Sequence, residues 1–234
     1  MTATDNTFRV PNVIAKDLAQ ALEEEIVFGE LAPNTRLTEE EIVKRFNVSR
    51  SPVREALRIL KQDGLIVMAS RRGARVPPLS VADLDEIYMC RIALEALAAE
   101  QAVIHRMPED AEEMTASLDR LRKALPDKNP RIFFEANVAL TTAIHRATHN
   151  VTLMRLLANV GKQALRYRYL AYLHAPELMQ RSVEYNVEIV DAILSNKRRH
   201  ARSLTEDVLE SSWKNVRQRI HALASNEQEA KSGG

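Results

Sequence analysis

The stretch VSRSPVREALRIL, residues 48–60, decides how this chain of 234 residues folds and what it can bind. Its apolar residues recur at helical spacing, so it predicts a helix with one buried face. Ser49 can cap this helix, and Pro52 lies in its first turn, where a missing N–H costs nothing. Three arginines follow at intervals of four residues along the opposite side: Arg50, Arg54 and Arg58. Like charges at this spacing repel slightly in the free protein, so the arrangement favours a helix that meets a polyanion.

The segments around this helix predict a small domain of three helices and a ribbon. Residues 13–27 carry apolar side chains at a helical period, and Thr38 begins a capping box ahead of a short second helix. Gly64 ends the third helix, and the runs 65–69 and 74–76 read as two strands joined by a turn. The order helix, helix, turn, helix, two-stranded ribbon predicts a winged helix-turn-helix.

The chain after Ser80 predicts helices joined by short loops, which is typical of an antiparallel bundle. We therefore predict a mainly α protein with an N-terminal winged helix-turn-helix and a C-terminal antiparallel all-α helical bundle. The predicted divisions are 1–76 for the winged domain, 77–80 for a linker, 81–224 for the helical domain and 225–234 for a disordered tail.

Positive charge is concentrated around the arginine helix, although the net charge of the chain is only +1. Residues 44–75 hold nine lysines and arginines against two acids, whereas residues 5–41 hold nine acids against three bases. Local positive charge of this kind is the electrostatic footprint of a nucleic-acid binder. Charge alone is equally compatible with a basic surface that is merely solvated.

Cysteine usage and hydropathy predict the compartment. The single cysteine, Cys90, rules out an internal disulfide and is compatible with a reducing cytosol. The polar N-terminal residues do not resemble a signal peptide, and no apolar run approaches the ~18 residues that a membrane span needs. We predict a cytoplasmic protein without membrane association.

The arginine helix has the chemistry of a DNA-reading element. An arginine pairs with guanine O6 and N7 through two hydrogen bonds, or binds phosphate. Ser49 and Ser51, with the free N–H groups at the helix start, suit a phosphate, and Arg71 and Arg72 at the ribbon tip can reach the backbone or the minor groove. The candidate contacts to double-stranded DNA are Thr38, Ser49, Arg50, Ser51, Arg54, Arg58, Arg71 and Arg72. One such helix reads only a few base pairs, so we predict a homodimer on a two-fold symmetric site.

Residues 26–67 closely resemble the winged domain of the GntR family of bacterial transcriptional regulators. That domain typically reads G-x-L-x-P-G-x-x-L followed by V-S-R-x-P-V-R-E-A-L. The matching positions are Gly29, Leu31, Pro33, Leu37 and the run 48–57, with Asn34 where glycine is usual. The resemblance implies that Ser49, Arg50, Ser51 and Arg54 contact DNA, with residues of the wing assisting.

The helical half resembles the FCD-type ligand-binding domain of the FadR branch of that family. RIALEALAAEQA, residues 91–102, is similar to R-x-x-L-E-x-x-A-A-x-x-A, and Asn150 follows the third helix of the bundle. This resemblance implies an effector-binding and dimerisation domain. The implied function is a ligand-responsive repressor or activator.

The resemblance also implies a metal site that this chain has lost. Many such domains hold a divalent metal with an Asp and a His four residues apart and two later histidines. Those positions fall on Asn137, Thr141, Asn186 and near Val208, which are weak ligands or none. We expect no metal cofactor and a retained cavity. His145, two turns from Asn137, is either a shifted ligand or an ordinary core or surface residue.

Without a metal, the effector needs another cationic partner. Arg91 lies on an otherwise apolar helix face, and the resemblance places it at the cavity, where a guanidinium would clamp a small carboxylate. The alternative is an internal salt bridge to Glu95, one turn on. The candidate effector-binding residues are Arg91, Asn137, Thr141 and Asn186. The basic and aromatic residues of 166–172 cannot all face one side, and we expect most to be packing or dimer surface.

Two other functions compete with a ligand-responsive regulator. The first is an enzyme in the helical half with an attached DNA module. Against it, Cys90 has no obvious histidine partner, and neither a Ser-His-Asp order nor a glycine-rich phosphate loop is visible. The second is a DNA-binding protein whose helical half only dimerises.

Overall fold

The computed structural model describes residues 11–69 and 73–232, with side chains over 13–68 and 73–222. The chain divides into two compact units between Pro78 and Leu79. The elements of the first unit are α1 (Pro11–Val27), β1 (Arg36–Leu37), α2 (Glu39–Phe46), α3 (Arg50–Gln62), β2 (Val67–Ala69) and β3 (Gly73–Arg75). Those of the second are α4 (Val81–His105), α5 (Pro108–Ala124), α6 (Pro130–Arg146), α7 (Val151–His174), α8 (Glu177–Leu194) and α9 (Arg198–Ser232).

One hydrophobic core holds the three helices of the first unit together. Leu22 and Ile26 of α1 belong to the same buried cluster as Val53 and Leu60 of α3, together with Leu65. These side chains are almost fully buried. Because the apolar face of α3 is buried in this core, the face that carries the arginines is exposed to solvent.

The small sheet of this unit has three strands and not the predicted two. β3 lies in the middle, antiparallel to β1 on one side and to β2 on the other. β1 has only two residues, Arg36 and Leu37. A strand this short shows no alternating pattern in the sequence. Gly73 makes the pairing possible: its φ is +79°, and a Cβ there would lie 3.0 Å from the carbonyl oxygen of Leu37.

Two asparagines adopt left-handed backbone conformations at tight turns of this unit. Asn34 has φ +69°, and Asn47, which ends α2 ahead of α3, has φ +51°. Asparagine tolerates the left-handed region better than other residues with a side chain. The departure at Asn34 from the usual glycine is therefore physically small.

The second unit is an antiparallel bundle of α4–α9. Its main core includes Met114, Leu121, Phe133, Leu140 and Ile193, all buried. Polar caps start several helices: the side chains of Ser80, Asn129 and Asn150 accept hydrogen bonds from backbone N–H groups of α4, α6 and α7. No helix among the described residues is long and apolar enough to cross a bilayer.

The last helix is longer than the sequence suggested. α9 continues to Ser232, whereas we expected a helix end at 224 and a disordered tail over 225–234. No glycine or proline interrupts residues 198–232, and the Glu, Gln, Ala and Lys of the last turns favour a helix. Gly233 and Gly234 lie outside the described residues.

Candidate functional site

The exposed side of α3 carries the predicted arginines. Arg50, Arg54 and Arg58 are all solvent-exposed, and the opposite side of the helix is buried. Nε of Arg54 lies 2.9 Å from a carboxylate oxygen of Glu39, and Arg58 lies 2.6 Å from Glu55. These carboxylates offset the repulsion between the arginines in the free protein. Such exposed pairs contribute little to stability, so both arginines remain available to another anion.

The start of α3 leaves donors free. Ser49 occupies the N-cap position with extended backbone, but its side chain makes no capping hydrogen bond, contrary to the role we predicted. The reason is the sequence that follows: the third helical position is Pro52, which has no N–H for the serine to accept from. The serine hydroxyl and the first N–H groups of α3 are therefore not committed to a cap.

Thr38 has a structural role one helix earlier. Its Oγ1 accepts the backbone N–H of Glu41 at 3.2 Å, and its own N–H donates to the Glu41 carboxylate at 3.3 Å. This is the predicted capping box of α2. The hydroxyl is committed to the cap, and its assignment as a DNA contact stays a prediction. Arg71 and Arg72, the predicted wing contacts, lie outside the described residues.

A cavity of about 130 Å³ lies within the helical unit, lined by α4, α6, α7, α8 and α9. All four predicted effector-binding residues line it: Arg91, Asn137, Thr141 and Asn186. Val208, at an implied metal-ligand position, and His145, the candidate shifted ligand, line the cavity as well. An apolar cavity of roughly 150 Å³ holds a benzene molecule, so the space suits a small metabolite.

Arg91 forms the predicted salt bridge to Glu95 and also lines the cavity. It is 3% exposed, and its Nε donates to Glu95 at 2.8 Å. Its guanidinium also lies over the Tyr88 ring, 4.7 Å from the centroid. Yet Nη1 is buried without a hydrogen-bond partner among the described residues. A buried donor left unpaired is destabilising by about 1–3 kcal/mol, so this N–H favours a bound acceptor.

Arg168 is the residue that the sequence analysis missed. We expected the segment 166–172 to be mostly packing or dimer surface, but Arg168 and Tyr172 line the cavity. Nη2 of Arg168 donates to Oδ1 of Asn137 at 2.8 Å and to Oγ1 of Thr141 at 3.4 Å. The guanidinium is buried, and burial together with the charge of Arg91 lowers the pKa of Arg168.

Hydrogen bonds from α8 complete the polar wall. Ser182 Oγ lies 3.0 Å from the Tyr172 hydroxyl and accepts from Nδ2 of Asn137 at 3.3 Å. Asn186 donates to the backbone oxygen of Ser182 at 2.7 Å. The amide and hydroxyl groups therefore hold one another in place around the two guanidiniums.

The ionisable groups of the cavity do not suit a transition metal. Burial opposes the charge of Glu95, but Arg91, His145 and Arg168 outweigh it and lower the pKa of Glu95. Burial lowers the pKa of His145, which favours its neutral form. No group of three His, Cys, Asp or Glu side chains within the described part of the chain is arranged to hold a metal. Neutral amide and hydroxyl oxygens at Asn137, Thr141 and Asn186 are weak ligands for such ions.

Each of the two units matches the model of a known protein family. Residues 14–76 match the model of the bacterial regulatory proteins of the gntR family, and residues 86–211 match the FCD domain. The HTH-type transcriptional regulator BphR of Paraburkholderia xenovorans LB400 is 32% identical over 208 residues, which cover 85% of this chain and 83% of BphR. The HTH-type transcriptional repressor RspR of Escherichia coli K12 is 29% identical over 72% of this chain and 75% of its own length.

Solved structures share the fold. The E. coli protein McbR/YncC superposes with a TM-score of 0.78 at 21% identity, over 88% of this chain and 98% of that one. A GntR-type regulator from Rhodococcus sp. RHA1 gives a TM-score of 0.71 at 24% identity, over 86% and 96% of the two chains. Together with the family matches, the relatives identify a DNA-binding transcriptional regulator with a C-terminal effector-binding domain, and not an enzyme. The chain therefore belongs to the GntR family of bacterial transcriptional regulators, with a helical domain of the FCD type.

Proposed function

We propose that this regulator reads its operator with the exposed side of α3 and that a small carboxylate in the helical cavity controls the binding. The observation that carries the effector half is Nη1 of Arg91, which is buried at the cavity and has no hydrogen-bond partner in the described part of the chain. A carboxylate oxygen would satisfy this donor and add a charge-assisted hydrogen bond. RspR is named a repressor, which favours repression as the sign of control.

The DNA half of the proposal rests on charge and on free donors. Arg50 makes no ion pair with any described residue, and the pairs of Arg54 and Arg58 are exposed and weak. Ser49 and Ser51, both exposed, flank the free N–H groups of the helix start. We assign base contacts to Arg50 and Arg54 and phosphate contacts to the two serines. The operator lies in the bacterial cytoplasm, so we propose that the protein acts there.

We also propose a homodimer that joins through α4 and α7. These helices share a small buried cluster of Ala98, Leu153 and Leu157. Large apolar side chains on the same two helices are exposed, namely Met89, Leu97, Ile104, Val151 and Leu156. Exposed apolar groups at this density are typical of an interface between subunits.

Selection from a pool of randomised DNA duplexes tests the function directly. We expect wild-type protein to enrich a sequence with two inverted half-sites, because two copies of α3 would read it. The Arg50→Ala variant should fail to enrich that sequence. Lys16→Ala, which removes an exposed cation from α1 of the same unit, is the matched control and should enrich it normally. Enrichment of no sequence by the wild type would contradict the proposal.

A thermal-shift panel tests the effector half. Small organic acids should raise the Tm of the wild type, whereas their neutral amides should not, because the amide lacks the charge that Arg91 would pair with. An acid found in this way should also change the affinity for the selected duplex. A panel in which amides and acids act alike would contradict a carboxylate effector.

A further inference from the structure

The buried positive charge of the cavity is not balanced by buried negative charge. Two guanidiniums, those of Arg91 and Arg168, face one carboxylate, that of Glu95. Glu95 is paired with Arg91, so Arg168 is left with the neutral oxygens of Asn137 and Thr141. His145 adds no charge in its neutral form, and Arg181, at the exposed side of the cavity, donates to the Tyr185 hydroxyl.

Arg168 is hydrogen-bonded to residues at two of the positions that the resemblance implies for metal ligands. Asn137 and Thr141 stand where the resemblance places the first two metal ligands, and the side-chain oxygens of both accept hydrogen bonds from the Arg168 guanidinium. Asn186 and Val208, at the other two implied ligand positions, line the same cavity. A metal held by these four positions would share its space with the guanidinium.

We propose that the guanidinium of Arg168 takes the place of a divalent metal in the cavity and makes the cavity a metal-independent site for a singly charged carboxylate. The inference rests on the proposed effector role of the cavity and names the chemistry of that effector. One added negative charge would balance the two arginines against Glu95. Nη1 of Arg91 would supply a second donor, which gives the carboxylate two cationic partners.

Physical chemistry explains why the exchange is possible. A metal attracts an anionic ligand by its charge and binds it at an open coordination position. An arginine has a charge of +1 and presents five N–H donors in a rigid plane. The charge of a dicarboxylate would exceed the single uncompensated buried charge of the cavity, so desolvation would disfavour it. The cation is covalently attached, so chelators cannot remove it.

Rebuilding the metal site tests the position of Arg168 without any effector or DNA. The first variant combines Asn137→Asp, Thr141→His and Asn186→His and keeps Arg168. The second adds Arg168→Ala. Three such ligands form an open zinc site. Isothermal titration of chelator-treated protein with Zn²⁺ should give one zinc per chain for the second variant and at least about hundredfold weaker binding for the first, because the guanidinium blocks the site.

Every outcome of this titration decides the point. Equal zinc affinity in the two variants would mean that Arg168 does not occupy the metal position, and zinc binding by neither would mean that the three positions do not converge on one ion. Either result overturns the inference and leaves the proposed reading of DNA by α3 untouched. Circular dichroism of both variants before titration confirms that they are folded.

Acetate, which has four heavy atoms and one charge, tests the anion site. We expect sodium acetate to raise the Tm of the wild type by about 3 °C over sodium chloride of the same ionic strength once acetate saturates the site. Arg168→Gln should lose this rise, and Lys123→Gln, an exposed change on α5, should keep it. Acetamide should act on none of them. An acetate effect that is absent from the wild type, or unchanged in Arg168→Gln, would overturn the inference.

Discussion

At the scale of one residue, the salt bridge of Arg91 leaves a guanidinium donor for the binding role that we propose. Nε is committed to Glu95, and Nη1 has no partner among the described residues. The sequence posed these roles as alternatives because spacing alone places Glu95 one turn away on the same helix. A guanidinium has five N–H donors, so one carboxylate does not exhaust it.

Arg91→Ala should abolish the influence of an effector on DNA binding and leave the affinity without effector nearly unchanged. The reason is linkage: a ligand shifts the DNA-binding equilibrium only through its different affinities for two states, and the variant loses that ligand without altering α3. Fluorescence anisotropy of the selected duplex, with and without the acid found by thermal shift, measures both quantities. A variant that answers the acid as the wild type does would restrict Arg91 to its salt bridge with Glu95.

Glu95→Gln should lower stability at pH 7 by about 3 kcal/mol, because it leaves two buried guanidiniums without a carboxylate. The pKa of Glu95 is lowered in the fold, so its contribution is fully present above its ordinary value of 4.5 and disappears as the pH falls through the folded pKa. The difference in Tm between wild type and variant should therefore shrink below pH 4.5. Thermal melts from pH 7 to 3 check this, and a difference that is constant with pH would contradict it.

Helix starts decide the roles of two hydroxyl residues at the scale of the element. Thr38→Ala should destabilise the winged unit by about 1 kcal/mol, since it removes a working cap. Ser49→Ala should change stability by less than about 0.5 kcal/mol, because this serine makes no capping bond, yet it should weaken DNA binding. Urea unfolding and band shifts of both variants separate the effects. Equal loss of stability in the two would contradict this assignment.

The elements also show where sequence patterns succeed and fail. α3 and the capping box of α2 were predictable because a helical period and a capping box are local signals. The strand β1 was not, since two residues carry no period. Arg168 was missed because α7 carries basic and aromatic residues on several faces, and only the packing of α6 beside it brings Arg168 to Asn137. The four predicted effector residues do converge on one cavity, and their role stays a prediction.

At the scale of the whole molecule, the proposed dimer connects the two functions, since a two-fold operator needs two copies of α3. Leu97→Glu should lower the mass in sedimentation velocity from twice the 26.5 kDa of the chain to that of one chain, because a charge cannot be buried there without a partner. Ile132→Glu, which changes an equally apolar exposed residue on α6, should leave the dimer intact. If both variants remained dimeric, the interface would not lie on α4 and α7.

Sequence reading by α3 is measured by comparing the selected duplex with one whose half-sites are scrambled, for the wild type and for the Arg50→Ala, Arg54→Ala double variant. Anisotropy titrations at two salt concentrations give the four affinities. We predict that the wild type prefers the selected duplex by at least about 10³-fold. The double variant should lose most of this preference, at about 1–3 kcal/mol for each arginine, and keep salt-dependent binding to both duplexes. A double variant that discriminates as well as the wild type would contradict the reading of DNA by α3.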